Sequence, residues 1–134
     1  AGSFDSVVVK FNGDVWFGCH SAVKGYFDEE FNAIEATDDG YVAVGSSCSS
    51  NRDLKAVGNR GGSDALVVTF SNGGSLKSIQ SYGGSRDDSF GGVCVLSDGQ
   101  IIACGSTYSD NGDLIGSKYL SSGSASMGMI ARFK

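Results

Sequence analysis

Short apolar runs such as SVVVKF (6–11), YVAVGSS (41–47) and DALVVTF (64–70) alternate along the chain with clusters of Gly, Ser, Asn and Asp. The runs are rich in β-branched residues, which suit a pleated surface, and the clusters between them are turn formers, so the pattern predicts short strands. LVVTF and YVAV are apolar at nearly every position instead of every second one. That predicts sheets covered on both faces. No window repeats apolar residues at three and four positions over a helix's length. The closest, YFDEEFNAIEATDDG (26–40), is excluded because its second copy, SRDDSFGGVCVLSDG (85–99), is too rich in Gly. The chain reads as all-β.

The chain also repeats itself, at a period of about 60 residues. Asp5 matches Asp64, Phe11 matches Phe70, Phe31 matches Phe90 and Asp39-Gly40 matches Asp98-Gly99, all at an offset of 59 (64 − 5). After one inserted residue, Gly45 matches Gly105 and Asp53-Leu54 matches Asp113-Leu114 at an offset of 60 (105 − 45). A partial third copy closes the chain, SMGMIARFK, with Phe133 in the place of Phe11 and Phe70. Within one unit four strands are expected, at 31–37, 41–47, 64–70 and 76–82. Asp-Gly and Asn-Gly pairs are expected to supply the positive φ of their tight turns. Such a unit is a four-stranded antiparallel meander, and meanders buried on both faces are what the blades of a β-propeller require.

The pattern GGSRDDSFGGVCVLSDGQIIACGST, followed by GDL, with GGSDALVVTFSNGGSLKSIQSYGGS, resembles the propeller-like repeats of about 60 residues in large secreted or cell-surface proteins of Gram-positive bacteria. The resemblance runs over essentially the whole chain. It implies one repeat domain over 1–134: a partial blade at about 1–26, a full blade at 27–83 and a partial blade at 84–134, with about two blades and an extra strand in all. It also implies an extracellular or cell-surface location, with any signal sequence outside this stretch, and a non-catalytic role as scaffold or as a surface for ligand or protein. Two units cannot close a ring. A fragment of a larger propeller or a homo-oligomer is therefore expected, because an open stack leaves strand edges and apolar faces bare.

Composition narrows the partners. A net charge of −5 argues against nucleic acid, whose backbone calls for a basic stripe. No run of about 18 apolar residues occurs, so no helical membrane span is expected. Cys19, Cys48, Cys94 and Cys104 lack the C-x-x-C spacing of a zinc site. Cys94 and Cys104 flank the Asp98-Gly99 turn; with a loop of 98–100 they would stand directly opposite each other, as a cross-strand disulfide or as buried free thiols. An enzyme would call for a Ser-His-Asp set or a unique carboxylate pair, and the sequence offers neither; carboxylates repeated in each unit point to a structural task.

The twin loops SSNRDL (49–54) and SDNGDL (109–114) space oxygen ligands as a Ca²⁺ site does, with Asp110, Asn111 and Asp113 as the ligands of the fuller copy. The alternative is that Asp and Asn tie down turns while Leu anchors the loop from below. A second acidic spot, FDEEF (27–31) and SRDDSF (85–90), is expected on the same rim, where it would attract cations or a basic partner or serve as a solvated turn. For a carbohydrate-binding module, the alternative function, Trp16, Tyr26, Tyr108 and Tyr119 are the aromatic candidates, although they form no repeated platform.

Overall fold

A computed structural model describes residues 4–12, 15–114 and 126–133, and the side chains of all of these but 10–12 and 15–21. Among them run nine strands: β1 (Ser6–Asn12), β2 (Val15–Val23), β3 (Glu29–Thr37), β4 (Gly40–Ser47), β5 (Asp64–Ser71), β6 (Leu76–Tyr82), β7 (Asp88–Val95), β8 (Ile101–Thr107) and β9 (Met127–Phe133). The protein is all-β. The strands form three antiparallel sheets of neighbouring strands, β1-β2, β3-β4-β5-β6 and β7-β8-β9. The strands expected at 31–37, 41–47, 64–70 and 76–82 are β3 to β6, with ends moved by no more than two residues. Single turns of 3₁₀ helix, Arg52–Leu54 and Gly112–Leu114, occupy the twin loops.

The turns obey local chemistry more finely than the expectation of positive φ at each Gly. Gly74 (φ 82) and Gly99 (φ 79) do take the left-handed conformation, but Gly40 does not. Gly40 opens β4, where an added Cβ would stand 1.8 Å from the Phe70 carbonyl oxygen, so it is small because β5 passes close by. Gly45 and Gly105 have a similar reason. Each sits opposite a register shift, at Phe31/Ala33 and Phe90/Gly92, where a Cβ would come within 1.7 Å of the Glu30 oxygen and 2.0 Å of the Ser89 oxygen. The first bulge re-aims Asn32 out of its sheet, and its amide donates to the Phe90 carbonyl oxygen at 2.9 Å, tying the middle sheet to the third.

The three sheets stack, and two apolar layers lie between them. Between the first and middle sheets are Val23, Ala43, Leu54, Leu66, Val68 and Phe70, with Val8 and Phe31 packed against them. Between the middle and third are Val42, Val44, Ala65, Val67, Phe90, Ile101 and Ala103, joined by Tyr82, Met129, Ala131 and Phe133. The two central strands of the middle sheet are thus buried on both faces, which is why β4 and β5 are apolar without alternation.

The cysteines depart from expectation. Gly99 supplies the left-handed residue that ends a three-residue turn, so the loop is 97–99, with Leu96 N–H bonded to the Gln100 carbonyl oxygen at 2.8 Å. That moves the register by one pair: Cys94 faces Ile102 and Cys104 faces Gly92. Residues two rungs apart on a diagonal stand about 7–8 Å apart, too far for a relaxed disulfide. Cys48, Cys94 and Cys104 are free thiols, and they are exposed, not buried. Cys94 and Cys104 lie on the outer face of the third sheet, which no other sheet covers among the described residues.

Candidate functional site

The polar side chains of the chain gather where one sheet hands over to the next, and the same arrangement is built twice. The connection from β2 to β3 meets the loop after β4, and the connection from β6 to β7 meets the loop after β8. In the first, Asp53 donates its N–H to the Lys24 carbonyl oxygen (3.3 Å) and accepts the Lys24 N–H on Oδ2 (2.9 Å). In the second, Asp113 does the same with Gly83, at 3.0 and 3.2 Å. Each Asp is a two-way clasp on the backbone of the preceding connection. Leu54 behind it is fully buried in the layer between the first two sheets, as the anchor reading expected; Leu114 is half-buried.

Around each clasp sits a matched set of bonds. Ser49 Oγ accepts the Phe27 N–H (2.9 Å), and Ser109 Oγ accepts the Arg86 N–H (3.0 Å). Asp28 Oδ1 accepts the Phe4 N–H (3.1 Å), and Asp87 Oδ1 the Ser63 N–H (2.9 Å). The acidic spot foreseen as a solvated or cation-attracting rim therefore spends Asp28 and Asp87 on backbone. Deeper, Ser47 donates to Glu29 (2.8 Å) and Thr107 donates to Asp88, while each hydroxyl accepts the N–H two residues on. Glu29 is 2 % exposed and Asp88 not at all. The two pairs trade volume: Glu is longer than Asp by one methylene, and Ser is shorter than Thr by one methyl. The summed side-chain size is nearly the same in either copy.

Gly112 takes φ 66, and its counterpart Arg52 takes φ 50, the only positive φ outside glycine among the described residues. A bulky residue there costs of order 1 kcal/mol. The Arg52 guanidinium lies over the Tyr26 ring at 4.7 Å, an attraction of about 0.5–1 kcal/mol at an exposed site that offsets part of the cost.

Arg60 reaches from the first clasp to the second. Its Nη1 donates to Asp64 Oδ2 (2.9 Å) and Ser81 Oγ (3.0 Å), and its Nη2 lies 3.1 Å from Asp113 Oδ2. Asp64 is 1 % exposed and its Oδ1 has no hydrogen-bond partner among the described residues. A Cβ on Gly83 would meet Asp64 Oδ1 at 2.8 Å and Asp88 Oδ2 at 2.6 Å, so both buried carboxylates converge on that backbone. Burial pushes the Asp64 carboxyl above its ordinary 3.8, the Asp88 charge adds to the push, and Arg60 opposes it. An acid raised on folding binds its proton more tightly in the native state, so its contribution to stability is full below about 3.8 and is lost as pH rises through the native value. Asn resembles the protonated carboxyl. The unfolding free energy of wild type minus that of Asp64→Asn is therefore expected to fall as pH rises from 3.8 towards neutrality in urea titrations; a difference that grows would contradict the assignment.

Of the oxygens expected to bind Ca²⁺, Asn111 Oδ1 accepts the Ser85 N–H (2.8 Å) while its amide donates to Ser85 Oγ (3.0 Å), Asp113 is engaged as above, and Asp110 lies exposed. Among the described residues no group of three or more His, Cys, Asp and Glu side chains is placed to hold a metal. Tyr26 (63 % exposed) stands in the first connection beside the clasp, and Tyr108 (41 %) follows β8. Trp16 lies on β2, and Tyr119 falls outside the described residues. The roles of Arg60 and Asp64 and the Glu29–Ser47 and Asp88–Thr107 pairings go beyond the sequence expectations, which set Glu29 and Asp88 in the acidic spot on the rim, whereas both are buried. Their signal was the recurrence of an acid and a hydroxyl at offsets of 59 and 60 (88 − 29, 107 − 47). Compared with known proteins, the chain matches no family model, no curated protein and no solved structure.

Proposed function

We propose that this chain is a non-catalytic, propeller-type repeat module of an extracellular or cell-surface protein, serving as a scaffold that presents a ligand- or protein-binding surface. Each sheet is then one blade, complete in the middle and partial at either end, in a ring finished by further copies or by further repeats. The observation that carries the reading is the duplicated clasp. Catalytic groups are placed once and left free to act, whereas here Asp53 and Asp113, Ser49 and Ser109, and Asp28 and Asp87 are placed twice and spent on backbone donors. A rim held this tightly suits presentation, with variation left to what projects from it, such as Tyr26, Phe27 and Tyr108.

The test is a panel of chromogenic esters, phosphates and glycosides together with a glycan array. No turnover and no glycan binding are expected. Turnover above the buffer rate would overturn the non-catalytic reading, and saccharide binding lost in Tyr26→Ala or Tyr108→Ala would replace the scaffold with a carbohydrate-binding module.

A further inference from the structure

Among the described residues the first and third sheets each leave apolar side chains exposed on one face, and the repeat says what those faces match. In the middle sheet Val42, Val44, Ala65 and Val67 pack against the third sheet, while Ala43, Leu66, Val68 and Phe70 pack against the first. By the repeat, Ile102, Cys104 and Ile130 on the third sheet correspond to Val42, Val44 and Val67 (102 − 42 and 104 − 44 are 60; 130 − 67, like 133 − 70, is 63). Among the described residues nothing covers their face: Ile130 is 80 % exposed, beside a hollow of about 490 Å³ lined by Gly91, Gly92, Cys104, Gly128 and Met129. On the first sheet Val7 and Val9 correspond to Leu66 and Val68 at an offset of 59 (66 − 7), and are 49 % and 38 % exposed. One bare face is of the kind that receives, the other of the kind that inserts.

Resting on the reading of this chain as a repeat module, we infer that the outer face of the third sheet is covered by the outer face of the first sheet of a second copy, head to tail. The template lies within the chain, since both internal layers join a receiving face to an inserting face of the next sheet. Continuing that layer with the same residue classes places Val7 and Val9 over the hollow beside Ile130. The contact is heterologous, so each copy keeps one face for the next, and the series ends only by closing into a ring. A self-pairing of either face would set like against like, an arrangement the chain uses nowhere.

The test is mass in solution under reducing conditions, which keep the exposed thiols from linking copies. Wild type is expected to exceed the 13.8 kDa of one chain and to grow with concentration or settle at one ring. Ile130→Glu and Val7→Glu, substitutions at exposed positions, are each expected to run as monomers with the wild-type far-UV spectrum. Mixed, they are expected to give a dimer of twice 13.8 kDa, because each retains the face the other lacks. A monomeric wild type, a variant that still assembles alone, or a mixture that stays monomeric would overturn the pairing. None of these results bears on turnover or glycan binding, so the proposed function stands or falls separately.

Discussion

Replacing Phe90 with alanine is expected to lower the unfolding free energy by about 3–5 kcal/mol, measured by urea or thermal denaturation. Phe90 is fully buried between the middle and third sheets. Its ring meets Phe133 edge-on at 6.1 Å and Tyr82 at 6.5 Å, and those two lie 5.0 Å apart, so three rings from three strands form one cluster. Truncation removes the central ring and leaves a cavity that rigid flanking strands cannot close. For a domain whose total stability is of order 5–15 kcal/mol, such a loss lowers the melting temperature by about 10 °C or more. Phe27→Ala is the control, because Phe27 is 60 % exposed and its removal is expected to cost no more than about 0.5 kcal/mol. Equal losses in the two variants would contradict the assignment of the core.

The second large effect concerns the volume trade beneath the clasp. Asp88 accepts from Thr107 on Oδ1, and on Oδ2 from the Gly84 N–H (2.8 Å) and the Ser109 hydroxyl (2.8 Å). Asp88→Ala strips the partner from three buried donors, each costing about 1–3 kcal/mol when orphaned, so about 3 kcal/mol is lost even if Thr107 turns to the Ser109 carbonyl oxygen. The first unit already holds the other solution, Glu29 with Ser47. Asp88→Glu alone overpacks the site and Thr107→Ser alone leaves a void, whereas the double change restores the total volume. The double variant is therefore expected within about 1.5 kcal/mol of wild type and above the sum of its singles. Strict additivity in the denaturation midpoints would mean that the two pairs are unrelated solutions.

The sequence carried the strands well because turn chemistry punctuates it: Asp38-Asp39, the Asn72-Gly73-Gly74 turn and Asp98-Gly99 separate apolar runs too short for anything but strands. Comparison of the chain with itself carried the loops, since Asp53 and Asp113 keep one task while their neighbours change. Arg52 stands in place of Gly112 and still keeps the left-handed backbone. What failed depended on contacts between strands and between sheets. The β7–β8 register turned on which residue of the loop takes positive φ, and one position moved Cys94 from opposite Cys104 to opposite Ile102. Burial of Glu29 and Asp88 could not be read from residues that are usually exposed. Arg60 reaches Asp64 four positions on (64 − 60) and Asp113 across 53 (113 − 60), and no local pattern encodes the second.

The twin loops fasten successive sheets to one another, through Asp53 on Lys24 and Asp113 on Gly83. The direct measurement is the melting temperature of wild type and Asp113→Ala, each with added Ca²⁺ and with EDTA. Asp113→Ala keeps the backbone bond to the Gly83 carbonyl oxygen but removes the acceptor of the Gly83 N–H and the Arg60 contact, and is expected to cost about 1–2 kcal/mol, roughly 3–8 °C, in both solutions alike. Wild type is expected to melt at one temperature in Ca²⁺ and EDTA. A rise of several degrees with Ca²⁺ in wild type that vanishes in Asp113→Ala would contradict the account, because only an ion bound to the native loop shifts the transition in that way.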